Sequence, residues 1–154
     1  MERRAMGMLD DHARLSNDTS AEHDAIVKAL HALEAALASP ARGREARWLR
    51  RVKADLQPLI EAVIEHCRAA EAPRGLVREL EAAIGRPHEL RVVSEDHSRI
   101  AAEARDLLSS LSALPDAGEV RTRAARLSAD LRAHLAHEAD LIYEAFMRDI
   151  GVGD

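Results

Sequence analysis

Apolar residues recur along this chain at alternating steps of three and four, the spacing of one stripe on an α-helix. The pattern appears four times over long stretches. His23, Ile26, Leu30, Leu33 and Leu37 form the first stripe. Leu49, Val52, Leu56, Leu59, Val63, His66 and Ala70 form the second. Leu90, Val93, His97, Ile100, Ala104, Leu107 and Leu111 form the third, and Leu127, Leu131, His134, Glu138, Leu141 and Ala145 the fourth. These predict long helices over about 21–38, 44–71, 88–113 and 119–148, with a short one over 76–84. Pro58 interrupts the second stripe and predicts a kink or a break there.

Between the stripes lie turn residues. Ser39-Pro40-Ala41-Arg42-Gly43, Pro73 with Gly75, Gly85-Arg86-Pro87 and Leu114-Pro115-Asp116-Ala117-Gly118 separate the helices. Ser16-Asn17-Asp18-Thr19-Ser20 reads as a turn followed by an N-cap at Ser20. Residues 1–18 then form an N-terminal arm, which Met8 and Leu15 dock on the rest, and residues 19–150 form one domain. Short connections make successive long helices antiparallel. The expected fold class is all-α, an up-down-up-down antiparallel four-helix bundle.

Composition agrees with this reading. Apolar residues are 47% of the chain and aromatic ones 2%, a balance that disfavours strands. A net charge of −5 and a pI near 5.9 argue against nucleic acid as a partner. One cluster runs against the overall charge: Arg44, Arg47, Arg50 and Arg51 share a flank of the second helix, ordinarily a solvated face. No apolar run reaches membrane-spanning length, and no signal peptide is expected behind Arg3 and Arg4. A single cysteine, Cys67, fits a reducing compartment and leaves no internal disulfide, so a soluble cytoplasmic protein is expected.

The four stripes share one anomaly: each carries a histidine, and the last also carries Glu138. An unpaired carboxylate on a buried face costs several kcal/mol. In the antiparallel bundle, the start of the first helix, the end of the second, the start of the third and the end of the fourth lie together. Counting a rise of about 1.5 Å per residue from the turns brings His23, His97 and His134 to nearly one depth, with His66 about two turns farther along its longer helix unless the first turn near Arg44 is unstructured. One histidine on an apolar stripe is ordinarily a core residue with its own hydrogen bond. Four beside a carboxylate, in an Ala/Leu core with few polar partners, point to a metal ion. By ligand type, imidazole and carboxylate suit Fe, Zn, Mn or Cu. Ile26, Val63, Ile100 and Leu131 are expected to line the pocket. His137 is a candidate substitute or outer-sphere group. His12, His31 and His88 read as surface residues, Cys67 as an inert thiol, and Trp48 as a cap on the far end of the core.

The segments Ala21-Glu22-His23-Asp24-Ala25-Ile26, His66 near an acid, Glu95-Asp96-His97-Ser98-Arg99-Ile100 and His134-Leu135-Ala136-His137-Glu138 together resemble the hemerythrin-like, or HHE cation-binding, family. The resemblance covers about 20–148. It implies an up-down four-helix bundle with a non-haem, usually di-iron, centre. It also implies a function in binding or sensing O2 or iron, or in handling NO or peroxide. It assigns His23, His66, His97, His134 and Glu138 as ligands. Two positions depart from the family pattern. The carboxylate expected four residues after His66 is Ala70, with Glu71 next to it carried as a candidate ligand, and a further histidine expected at 101 is Ala101. A di-iron centre with solvent-filled positions, a mononuclear site and a degenerate site on a protein-docking bundle remain the alternatives. A protein partner belongs to the last of these; a peroxide- or NO-consuming enzyme would share the metal site.

Overall fold

The structure is a computed structural model. It describes residues 2–113 and 116–147, with the side chains at 2–5, 8, 9 and 147 left aside. It is all-helical, with no strand among the described residues. Helix α1 is Glu2–Ala38, α2 Glu45–Ala70, α3 Leu76–Ile84, α4 Pro87–Ser110 and α5 Ala117–Met147, with a 3₁₀ turn at Leu111–Ala113 after α4. Helix α1 packs on α2 and α5, α4 packs on the same two, and α3 lies against α4 and α5.

The stripes face inward as their spacing predicts. Leu30, Leu33, Val52, Leu56, Leu59, Ala104, Leu107 and Leu127 are buried in one apolar cluster, which also holds Ile26, Val63, Ile100 and Leu131. Ala70, Leu76, Leu80, Leu90, Val93, Leu141 and Ala145 form a second cluster. The two are separated along the stripes by histidines: His66 falls between Val63 and Ala70, His97 between Val93 and Ile100, and His134 between Leu131 and Leu141. A polar layer thus divides the core. Trp48 is buried in the larger cluster. Its Nε1 donates to the Ala36 carbonyl at 2.9 Å, and the Arg121 guanidinium lies 4.8 Å from the ring centre.

Pro58 does not end α2, whose flanking residues Leu56, Leu59 and Ile60 are all buried and hold the helix on either side. Gly75 sits so close to the end of α2 that any Cβ there would collide with the Ala69 and Ala70 carbonyls. That close approach lets α3 fold back beside the second cluster.

The N-terminus differs from expectation. No turn forms at Ser16–Ser20 and Ser20 caps nothing; α1 runs unbroken from Glu2, so the expected arm is its first five turns or so. Ser, Asn and Asp disfavour helix interiors only weakly, and tertiary contacts override them. Thr19 is buried and Leu15 half-buried, while His12 meets Glu79 of α3 at 3.2 Å and stacks at a tilt on Phe146 of α5. His12 is therefore less of a surface residue than its sequence context suggests. The docking expected of the Met8 side chain lies outside the described residues, as do Leu114, Pro115 and positions 148–154.

Candidate metal centre

Glu138 is the centre of the polar layer and is 0% exposed. Helix α5 brings it one turn beyond His134, whose Nε2 is 2.9 Å from Glu138 Oε1. Helix α4 contributes His97, with Nε2 2.6 Å from the same oxygen. Helix α2 contributes His66, with Nε2 2.9 Å from Oε2. Helix α1 contributes His23, with Nε2 2.7 Å from Oε2. All four imidazoles therefore present Nε2 to one carboxylate. One donor atom from each of His66, His97, His134 and Glu138 lies within 4.8 Å of the other three. His66, His97 and His134 are fully buried, whereas the His23 side chain is 16% exposed.

The outer nitrogens also face carboxylates. His66 Nδ1 is 2.9 Å from Glu22 Oε2, and His97 Nδ1 is 3.0 Å from Glu71 Oε1. His134 Nδ1 is 3.6 Å from Asp96 Oδ2, beyond hydrogen-bond reach, while Arg99 holds the other Asp96 oxygen at 3.2 Å. At 2.9 Å from Glu138, His134 Nε2 is out of line for a hydrogen bond, so both buried nitrogens of His134 lack a partner.

These contacts set a problem in proton counting. A neutral imidazole carries one N–H, yet His66 and His97 each lie between two carboxylates. Without a cation, a ring in that position bonds only one of them unless it takes up a second proton. Burial alone lowers the His66 pKa, but hydrogen bonds and charges from Glu138 and Glu22 outweigh it and raise it to about 9. Burial alone would raise the Glu138 pKa, and the surrounding imidazoles of His134, His23, His66 and His97 reverse that, holding it far below the usual carboxylate range. A metal ion solves the same problem differently. With N–H kept on Nδ1 toward the outer acid, Nε2 presents a lone pair inward, the arrangement of metal-bound histidines. The partnerless Nε2 of His134 fits that solution and not the first. The donor set thus fits a transition metal.

Ile26, Val63, Ile100 and Leu131 line a small cavity of about 10 Å³ together with His66, His97, His134 and Cys67. It has room for about one water-sized molecule. Burial, then the charges of Glu138 and Glu71, push the Cys67 thiol up to about 12, so it stays protonated near neutral pH. Its Sγ lies 3.6 Å from the His97 carbonyl.

Two expected site residues lie elsewhere. Glu71 is the C-cap of α2, 42% exposed, and reaches the outer nitrogen of His97 instead of the converging donors. The inward position beside it belongs to Ala70, which is buried in the second apolar cluster. His137 is 35% exposed and faces Glu89 at 3.9 Å, because three residues past His134 its side chain turns toward the rim. Glu22 and Asp96 are site residues that sequence reasoning missed. Their signal was the acid directly before His23 and before His97, turned about 100° toward the neighbouring helix.

Elsewhere, His31 and His88 are exposed, as is Tyr143, and Arg44, Arg47, Arg50 and Arg51 all face solvent. No helix among the described residues is long and apolar enough to cross a membrane. No protein-family model, curated protein or solved structure matches the chain.

Proposed function

We propose that this chain is a non-haem iron protein of the hemerythrin-like kind, an up-down-up-down four-helix bundle that binds or responds to O2, iron or reactive oxygen and nitrogen species. The carrying observation is the convergence of four Nε2 atoms on buried Glu138 with carboxylates behind three of the rings. His23 and His66 lie nearest one Glu138 oxygen, His97 and His134 nearest the other. Two pairs of imidazoles around one carboxylate would offer donors enough for two ions. Bound iron would supply electrons to a small oxidising ligand.

The chain's own residues do the rest. His23, His66, His97, His134 and Glu138 would hold the iron. Ala70 and Ala101 supply no further ligand. Ile26, Val63, Ile100 and Leu131 line the small cavity beside the donors and would keep bulk water from it. The lone thiol fits an intracellular setting.

Loading with ferrous iron under nitrogen, then admitting O2, NO or peroxide, tests this reading. A near-ultraviolet band is expected on oxidation in the wild-type protein and not in His97→Ala. Iron that stays bound without any spectral response to these three would count against a role in handling them. The same two alanines support a second reading, a partner-docking bundle with a degenerate centre. That reading predicts only trace iron after loading and unchanged partner binding in His97→Ala.

A further inference from the structure

The outer acids follow a rule around the bundle. Glu22 on α1 serves His66 on α2, Glu71 at the end of α2 serves His97 on α4, and Asp96 on α4 serves His134 on α5. Each acid lies on the long helix before the histidine it serves. His23 and Glu138 join α5 back to α1 and close the circuit.

We propose that Glu22, Glu71 and Asp96 are positioning residues that keep an N–H on each Nδ1 and so turn every Nε2 toward one point, leaving Nε2 as the nitrogen that binds when a metal arrives. The inference rests on the metal-binding reading above and deepens it by saying what makes the ligands competent.

Three features carry it. First, the carboxylates are arranged outside the donor layer: their side chains are 24%, 42% and 26% exposed, whereas the three histidines they serve are 2–3% exposed. Second, Glu22 and Glu71 bond Nδ1 and Asp96 faces it, while the four closest inner approaches to Glu138 all use Nε2. A ring that had turned over would break this order. Third, the histidines come from separate helices with few other polar groups around them. An apolar wall does not fix how an imidazole is turned, and Glu138 accepts a proton from either nitrogen, so the outer acids decide which nitrogen faces outward. Asp96 is the weakest of the three, at 3.6 Å and shared with Arg99.

The test uses zinc, a diamagnetic probe for the same donor set, with the intact chain. Glu22→Gln, Glu71→Gln and Asp96→Asn keep shape and remove charge; Glu81→Gln, an exposed acid on α3, is the control. Competition against a chelator is expected to show zinc affinity falling about 10- to 100-fold in Glu22→Gln and in Glu71→Gln. A smaller fall is expected in Asp96→Asn and no change in Glu81→Gln.

Ring ¹⁵N spectra of the zinc form separate positioning from general destabilisation. Glu22→Gln should move the Nδ1 signal of His66 alone, and Glu71→Gln that of His97 alone. Zinc affinities within twofold of wild type in all three variants, or ring signals that shift together, would overturn the inference while leaving the metal reading in place. A wild-type protein that takes up no zinc and no iron would overturn both.

Discussion

Metal-free Glu138→Ala is expected to lose about 3–5 kcal/mol of stability near pH 6.5, the cost of leaving a buried charge without its partner. Glu138 is wholly buried, and four imidazoles face it within 2.9 Å through Nε2. His66 is protonated at that pH when folded, because its pKa is raised to about 9. Removing the carboxylate takes away the main support of that charge, so His66 either gives up its proton or stays charged between apolar clusters with only Glu22 on its outer side. A stability of about 5–15 kcal/mol is ordinary for a domain, so the loss is a large fraction of the whole. Glu138→Gln should fare little better, since an amide offers no counter-charge. The double variant His66→Leu with Glu138→Leu should lose less than the sum of its single changes, because it removes the charge and its partner together. Urea unfolding with a chelator present measures all of these. A loss below about 1 kcal/mol in Glu138→Ala would show that the carboxylate carries no ion pair.

The same two groups give the metal-free protein an unusual pH profile. The His66 pKa is higher folded than unfolded, so its contribution is complete below about pH 6.5 and disappears as pH rises through about 9. The Glu138 pKa is depressed on folding, so its contribution is complete above about pH 4.5 and is lost only as pH falls through its much lower folded value. Stability should therefore be greatest between about pH 4.5 and 6.5. It should fall by up to about 3 kcal/mol between pH 6.5 and 9 as His66 loses its proton. The metal-loaded protein should behave in the opposite sense. Binding needs unprotonated Nε2 atoms, so acid releases the metal and the stability that loading adds grows with pH. Unfolding curves at pH 5.5, 7.5 and 9, with and without chelator, read both trends. A metal-free profile flat across that range would contradict the charge state given to His66.

Much of the layer that produces these effects was legible along the chain. The three-four stripes gave the long helices, and His66, His97, His134 and Glu138 stood out because each occupied a position that its neighbours keep apolar. The short helix α3 followed from its flanking glycines and prolines. What could not be read depends on contacts across helices. Whether Ser16 to Ser20 turns or continues as helix is decided by Thr19, Leu15 and His12 meeting distant residues, and local preference is too weak to resist them. Glu22 and Asp96 sit off their own stripes. They matter only because a neighbouring helix presents an imidazole there. Glu71 was a candidate ligand by its place beside Ala70, but the end of α2 and buried Ala70 give it an outer direction.

Metal content per chain tests the centre most directly. After equilibration with ferrous iron under nitrogen and removal of free metal, wild-type protein should retain about two irons per chain, with Glu138→Gln and His97→Ala retaining only traces. Trace iron in the wild-type protein, or equal retention in all three, would contradict a metal centre built on Glu138.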